Sequence, residues 1–204
     1  MNYIEDFCEA LNRTEKLGLS ESLVACFAPF KSEDASTCPI VISICEDLLS
    51  RHGHKFVDRK CVKAHWALKQ ELEAALAQQV YLTLGDVSTP WGNRIYGFNE
   101  KTMLQMLNWG AMKTYKLHCW LTLESGQIVD ISLPTSLGLQ MGNKQLVGDL
   151  VIGNADIQKY KYHPIVVGEN VLGYMDINVS TGGVQFVTLL ARLKRFMSPR
   201  FSIA

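Results

Sequence analysis

An α+β fold is what this 204-residue sequence predicts, on three observations. Apolar residues recur at helical spacing through the first third of the chain. Residues 58–78 are filled by strong helix formers, and beyond residue 78 the chain is mostly short runs with the two-residue alternation of strands. Helices come first and strands afterwards, which separates α+β from an alternating, parallel βαβ architecture. The expected arrangement is a single domain over residues 1–204. It comprises a helical N-terminal layer at 1–57, a helix-plus-sheet core with the candidate site at 58–182, and a C-terminal helix and tail at 183–204.

Taken in order, residues 2–12 place Ile4, Phe7, Cys8 and Leu11 on one helical stripe, and Gly18 closes that unit. A short second helix is predicted from Ser20 to about Phe27, stopped by Pro29. Ser36 or Thr37 can cap a third helix with Pro39 in its first turn and Ile40, Ile44, Leu48 and Leu49 on its apolar face, ending at His52-Gly53-His54. Together these helices read as a layer covering the rest of the fold. The helix over 58–78 takes Asp58 as its N-cap, which would put Arg59, Lys60 and Cys61 in the first turn.

Val80 to Leu84 reads as a strand ending at Gly85-Asp86, followed by a loop from Val87 to Phe98. Asn99 caps a helix to about Trp109, terminated by Gly110. A hairpin comes next: His118, Trp120, Thr122 and Glu124 alternate with Cys119, Leu121 and Leu123, Glu124-Ser125-Gly126 turns, and Gln127 to Asp130 returns. Pro134 breaks the sheet, and residues 136–146 are mixed. Further strands are predicted at Leu146–Ile152, His163–Gly168 and Val171–Val179, then a terminal helix from about Val184 to Phe196.

Composition excludes several classes. Apolar residues at 48% and charged residues at 20% suffice for a folded core, so wholesale disorder is not expected. Zero formal net charge argues against a protein whose main work is gripping nucleic acid. No basic-then-apolar leader opens the chain and no apolar run reaches membrane-spanning length, so no membrane partner and a cytoplasmic location are expected. The six cysteines lack the dense spacing of a disulfide scaffold, and most are expected to be reduced, buried small hydrophobes. No glycine-rich phosphate loop is present, and no cofactor is expected.

Three residues carry a candidate chemistry. Cys61 at a helix start would meet exposed amides, the helix dipole and two flanking cations, all of which favour thiolate. His118 opens a strand. Asp130 on the returning strand comes back near the level of His118, where a carboxylate can hold an imidazole in one tautomer.

The order Cys61, His118, Asp130 resembles that of the papain-like and transglutaminase-like cysteine enzymes. The echoes are Cys61-Val-Lys-Ala-His-Trp-Ala-Leu, the strand ending Leu84-Gly85-Asp86, and His118-Cys119-Trp120-Leu121 followed by Ser125-Gly126-Gln127-Ile128-Val129-Asp130. They cover roughly residues 58–135. The resemblance implies a cysteine-bearing helix packed on an antiparallel sheet, and a thiolate that attacks an acyl carbon to give a thioester passed to water or an amine. It implies a peptide, protein or small acyl or amide substrate. The chain departs from papain in lacking a glutamine shortly before the cysteine. Residues 53–57 are Gly-His-Lys-Phe-Val, leaving His54 as the nearest polar candidate for an oxyanion donor.

His65, one turn after Cys61, is a further donor or supporting candidate, and Trp91, Trp109 and Trp120 are candidates to line a substrate groove. Cys61 and His65 share a helix face and, with His52, His54 or His118, would give a ligand set. No paired Cys-x-x-Cys or His-Glu-x-x-His accompanies them, and no metal is expected. Cys119 should point to the opposite sheet face from His118, into the core. The competing reading is a non-catalytic peptide- or protein-binding module on the same fold.

Overall fold

Strand alternation gives the sheet two apolar faces, and both are covered. In the computed structural model, which describes residues 2–19, 37–111 and 116–180, five strands form one sheet of order β4-β3-β2-β1-β5 with every neighbouring pair antiparallel. The strands are β1 (Val80–Ser88), β2 (His118–Leu123), β3 (Ile128–Asp130), β4 (Val151–Gly153) and β5 (Lys161–Val167). The helices are α1 (Tyr3–Lys16), α2 (Thr37–His52), α3 (Cys61–Leu76), α4 (Glu100–Trp109), α5 (Leu133–Met141) and α6 (Asn170–Tyr174). This is an α+β architecture.

Leu82 and Leu84 of β1 with Cys119, Leu121 and Leu123 of β2 face a core completed by α2, α3, α4 and α6. Tyr81, Trp120, Ile128 and Tyr162 face the other way, onto Tyr3, Phe7, Ala10 and Leu11 of α1 and Leu133 of α5. The expected N-terminal helical layer is therefore divided. Helix α2 packs with α3, while α1 lies on the opposite face against β5. The reason is chemical: the α1 face of the sheet is studded with hydroxyls that α1 satisfies. Trp120 Nε1 donates to Tyr3 Oη (2.8 Å), and the Tyr3, Thr122 and Thr83 hydroxyls link at 2.6 and 2.8 Å. Thr14 Oγ1 also accepts from Val167 N at 2.9 Å.

Several element boundaries differ from expectation. Helix α1 runs on to Lys16, because its Asn2–Glu5 capping box starts it firmly and Thr14 returns its hydroxyl to Ala10 O at 2.8 Å. Strand β1 continues through Gly85-Asp86 to Ser88, with its pairing to β5 shifting at a bulge between Leu84 and Gly85. The sheet does break before Pro134, as expected, and a helix follows at once: Pro134 sits in the first turn of α5, where its missing N–H costs nothing. The strand expected from Leu146 shrinks to β4, since Lys144–Leu146 forms a 3-10 turn and Gly148 (φ 88°) redirects the chain. Residues expected as a strand at Val171–Val179 form the short helix α6, and Ile177 N then closes onto Leu172 O at 2.8 Å. A short apolar run lacks the period that would tell strand from helix. The helices expected at 20–27 and 184–196 lie outside the described residues. Among the described residues no helix is long and apolar enough to cross a membrane.

Gly85 faces His118 across the β1–β2 pair. A Cβ built there would stand 2.1 Å from His163 O and 2.7 Å from Trp120 Cη2. Gly85→Ala is expected to cost about 1–3 kcal/mol, at the upper end because backbone blocks the space. Chemical denaturation measures it, and an unchanged midpoint would contradict the close packing of β1 on β5.

Candidate functional site

Helix α3 begins later than expected. Arg59 adopts a left-handed conformation (φ 54°), which no α-helix can contain, so Asp58 cannot cap it and Lys60 stands at the N-cap. Arg59 N donates to Ser136 Oγ at 3.0 Å and Lys60 N to Val57 O at 3.1 Å, fixing this turn. Cys61 is thereby the first helical residue, with an amide that has no acceptor within the helix. The two cations expected to flank the thiol are engaged elsewhere: Lys60 Nζ donates to Lys55 O at 2.9 Å, and the exposed Arg59 approaches Asp58 at 3.9 Å.

His118 and Asp130 are both buried. Leu121 stands opposite Val129, which puts Asp130 level with Trp120, two residues along from His118 on the same face. That diagonal is within side-chain reach. His118 Nε2 donates to Asp130 Oδ2 at 2.6 Å. Tyr162 Oη donates to the same oxygen at 2.9 Å, while Asp130 Oδ1 accepts from Ser132 N (2.9 Å), Leu133 N (3.1 Å) and Ser132 Oγ (3.2 Å) at the start of α5.

The other imidazole nitrogen decides the chemistry. His118 Nδ1 is buried and, among the described residues, meets no hydrogen-bond partner. The Cys61 sulfur lies near enough to interact with the ring and favour its cation. Burial by itself would hold His118 neutral, but the Asp130 charge and hydrogen bond, with Cys61 added, outweigh it and push the imidazole up to about 10. Burial likewise opposes the Asp130 charge, and the charge and hydrogen bond of His118 overcome it, holding this carboxyl well below the usual range.

His65 joins the two halves of the site. Its Nδ1 donates to Cys61 O at 2.8 Å and its Nε2 accepts from Ile131 N at 3.1 Å, which requires the neutral tautomer. The 3.3 Å approach of Nε2 to Asp130 Oδ1 would be an ion pair only if that ring were charged, and the Ile131 amide would then lose its acceptor. The backbone bonds fill both nitrogens, so His65 supports the site by tying the start of α3 to the end of β3. It is no oxyanion donor and no metal ligand in this state.

His54 does not join the site; it is exposed in the His54–Phe56 turn with its ring against Gly148. Among the described residues, no group of three or more His, Cys, Asp or Glu side chains is placed to hold a metal ion. Trp120 is fully buried beneath the site, 5.9 Å from the His118 ring, so it lines no open groove. Trp91 is 82% exposed in the loop after β1, and Trp109 stands half-exposed at the end of α4. The rings around His118 are instead those of His65, Tyr96, Trp120 and Tyr162. Cys119 is buried on the α3 side of the sheet.

Sequence reasoning missed Tyr96, Tyr162 and Asp86. Tyr162 carries no local signal, since its reach to Asp130 exists only once β5 has docked beside β1. Asp86, read as a strand end, is buried in β1 and holds the loop that leaves it: its Oδ1 accepts from Val87 N at 2.8 Å and Tyr96 N at 3.0 Å.

The class that fold and site define is an α+β protein with a cysteine at a helix start, a buried histidine and a buried aspartate gathered at one end of an antiparallel sheet. Compared with known proteins, the chain matches no family model, no curated protein and no solved structure.

Proposed function

We propose that this protein is a thiol-dependent hydrolase or acyltransferase of the papain-like or transglutaminase-like kind, acting on an amide or acyl substrate through Cys61, His118 and Asp130. The observation that carries this reading is the division of labour on His118: Nε2 is committed to Asp130 at 2.6 Å, leaving Nδ1 free for the Cys61 side. Asp130 keeps His118 cationic, and an imidazolium beside the sulfur favours thiolate as the resting nucleophile. The thiolate attacks the acyl carbon, His118 Nδ1 gives its proton to the departing group, and a thioester on Cys61 remains. Water or an amine, deprotonated by the now neutral His118, then takes the acyl group. The helix dipole of α3 adds to the stabilisation of negative charge at its first turn.

Iodoacetamide labelling at pH 6.5, read by peptide mass spectrometry, tests the proposal. Cys61 is expected to react at least ~10-fold faster than Cys8 and Cys38, which share its partial exposure. Burial raises the Cys8 thiol, which slows it further. His118→Gln is expected to abolish the difference. Equal, slow labelling of these cysteines in the unaltered protein would remove the catalytic reading and favour a module that binds a peptide or protein without chemistry.

A further inference from the structure

The thiol reading leaves one requirement open, a second donor for the oxygen of the attacked carbonyl. One donor is at hand in the Cys61 amide, which has no acceptor within α3. His54 is turned to the surface and both nitrogens of His65 are occupied, so neither supplies the other.

Tyr96 borders the His118 imidazole. Its ring lies parallel to the His118 imidazole, 8° apart in plane with centroids 5.0 Å apart. It does not hang from a slack loop. The excursion from Thr89 to Ile95 is closed on itself by Thr89 N to Asn93 O and Gly92 N to Thr89 O, both 2.9 Å, and returns to β1 through Ile95 N to Val87 O at 2.8 Å. Asp86, the residue after the Gly85 that faces His118, then pins the Tyr96 amide. The imidazole and the phenol are thus positioned from adjoining points of one strand. Among the described residues the Tyr96 hydroxyl takes part in no hydrogen bond, although the ring is largely covered. Burial first, and then the electrostatic influence of Cys61, Asp130 and Asp86, raise this phenol far above its ordinary range, which favours the protonated donor.

We infer that Tyr96 is a further catalytic residue, whose hydroxyl donates a hydrogen bond to the substrate oxygen as the Cys61 sulfur adds to the acyl carbon. The sulfur–carbon bond forms as the carbonyl π pair moves onto oxygen. The resulting oxyanion accepts from Cys61 N–H and Tyr96 O–H. When the pair returns, the bond to the leaving group breaks, and that group takes the Nδ1 proton of His118. The phenol keeps its own proton throughout. Removing one such donor typically costs about 10²–10³-fold in rate.

This inference rests on Cys61 being the nucleophile, and two probes separate the claims. Iodoacetamide alkylates sulfur by displacement at a saturated carbon and forms no oxyanion, whereas p-nitrophenyl acetate acylates it through one. Tyr96→Phe retains the ring against His118 and loses only the hydroxyl. The expected result is unchanged alkylation of Cys61 and acylation slowed by about 10²-fold, read from the p-nitrophenolate burst. Unchanged acylation overturns the assignment. Equal slowing of both reactions also overturns it, because the hydroxyl would then act on the thiolate rather than on the oxyanion. Rapid alkylation without any acylation in the unaltered protein refutes the oxyanion site alone, and failure of both reactions there refutes the nucleophile with it.

Discussion

Asp130→Ala is expected to destabilise the protein by about 3–5 kcal/mol, since it leaves a buried imidazolium without its counter-charge. The loss extends beyond His118. Tyr162 Oη and the Ser132 and Leu133 amides all donate to this carboxylate, so its removal orphans donors on β5 and at the start of α5. Asp130→Asn preserves the shape and an acceptor oxygen and is expected to cost less, while still removing the charge that keeps His118 protonated. Urea unfolding of the two variants measures both effects. A loss under about 1 kcal/mol for the alanine variant, the range of solvent-exposed ion pairs, would mean that the pair is not buried as described.

Stability is also expected to fall on the alkaline side of neutrality, which is unusual enough to be diagnostic. His118 binds its proton more tightly folded than unfolded, rising from 6.5 to about 10, so its contribution is complete below pH 6.5 and declines as pH climbs to about 10. Asp130 behaves oppositely. Its folded value lies below the ordinary 3.8, so its contribution is present above that value and disappears as acid protonates it. The unfolding free energy should therefore be greatest between about pH 4 and 6.5 as far as this pair is concerned, and decline on both sides. Asp130→Asn should flatten the alkaline limb. A free energy that stays level from pH 6.5 to 10 in the unaltered protein would exclude a His118 held cationic by Asp130.

How much of this is legible in the sequence depends on the range of the interactions. The Asn99 cap of α4, the hairpin turn at Glu124-Ser125-Gly126 and the helix-forming stretch after Cys61 are local, and each lies where periodicity and capping chemistry place it. The start of α3 is not legible, because Asp58 looks like a cap, whereas Ser136, far along the chain, holds Arg59 in a conformation no helix accepts. Helix α6 reads as a strand because its apolar residues are too few to show a period. Trp120 reads as a groove residue because aromatic rings beside a reactive cluster look alike in sequence; its bond to Tyr3 shows it to be the floor beneath the imidazole.

What the sequence determined by itself was the class of fold and the order cysteine, histidine, aspartate, because both depend on residue spacing along one stretch of chain. Tertiary structure alone decided which nitrogen of His118 faces Asp130, that Tyr96 and Tyr162 border the site, and that α1 lies across the sheet from α2. Those outcomes turn on buried side-chain hydrogen bonds between segments as distant as Tyr3 and Thr122. Such bonds leave no periodic trace in sequence, since any well-placed hydroxyl, amide or carboxylate can make them once the backbone has brought it near.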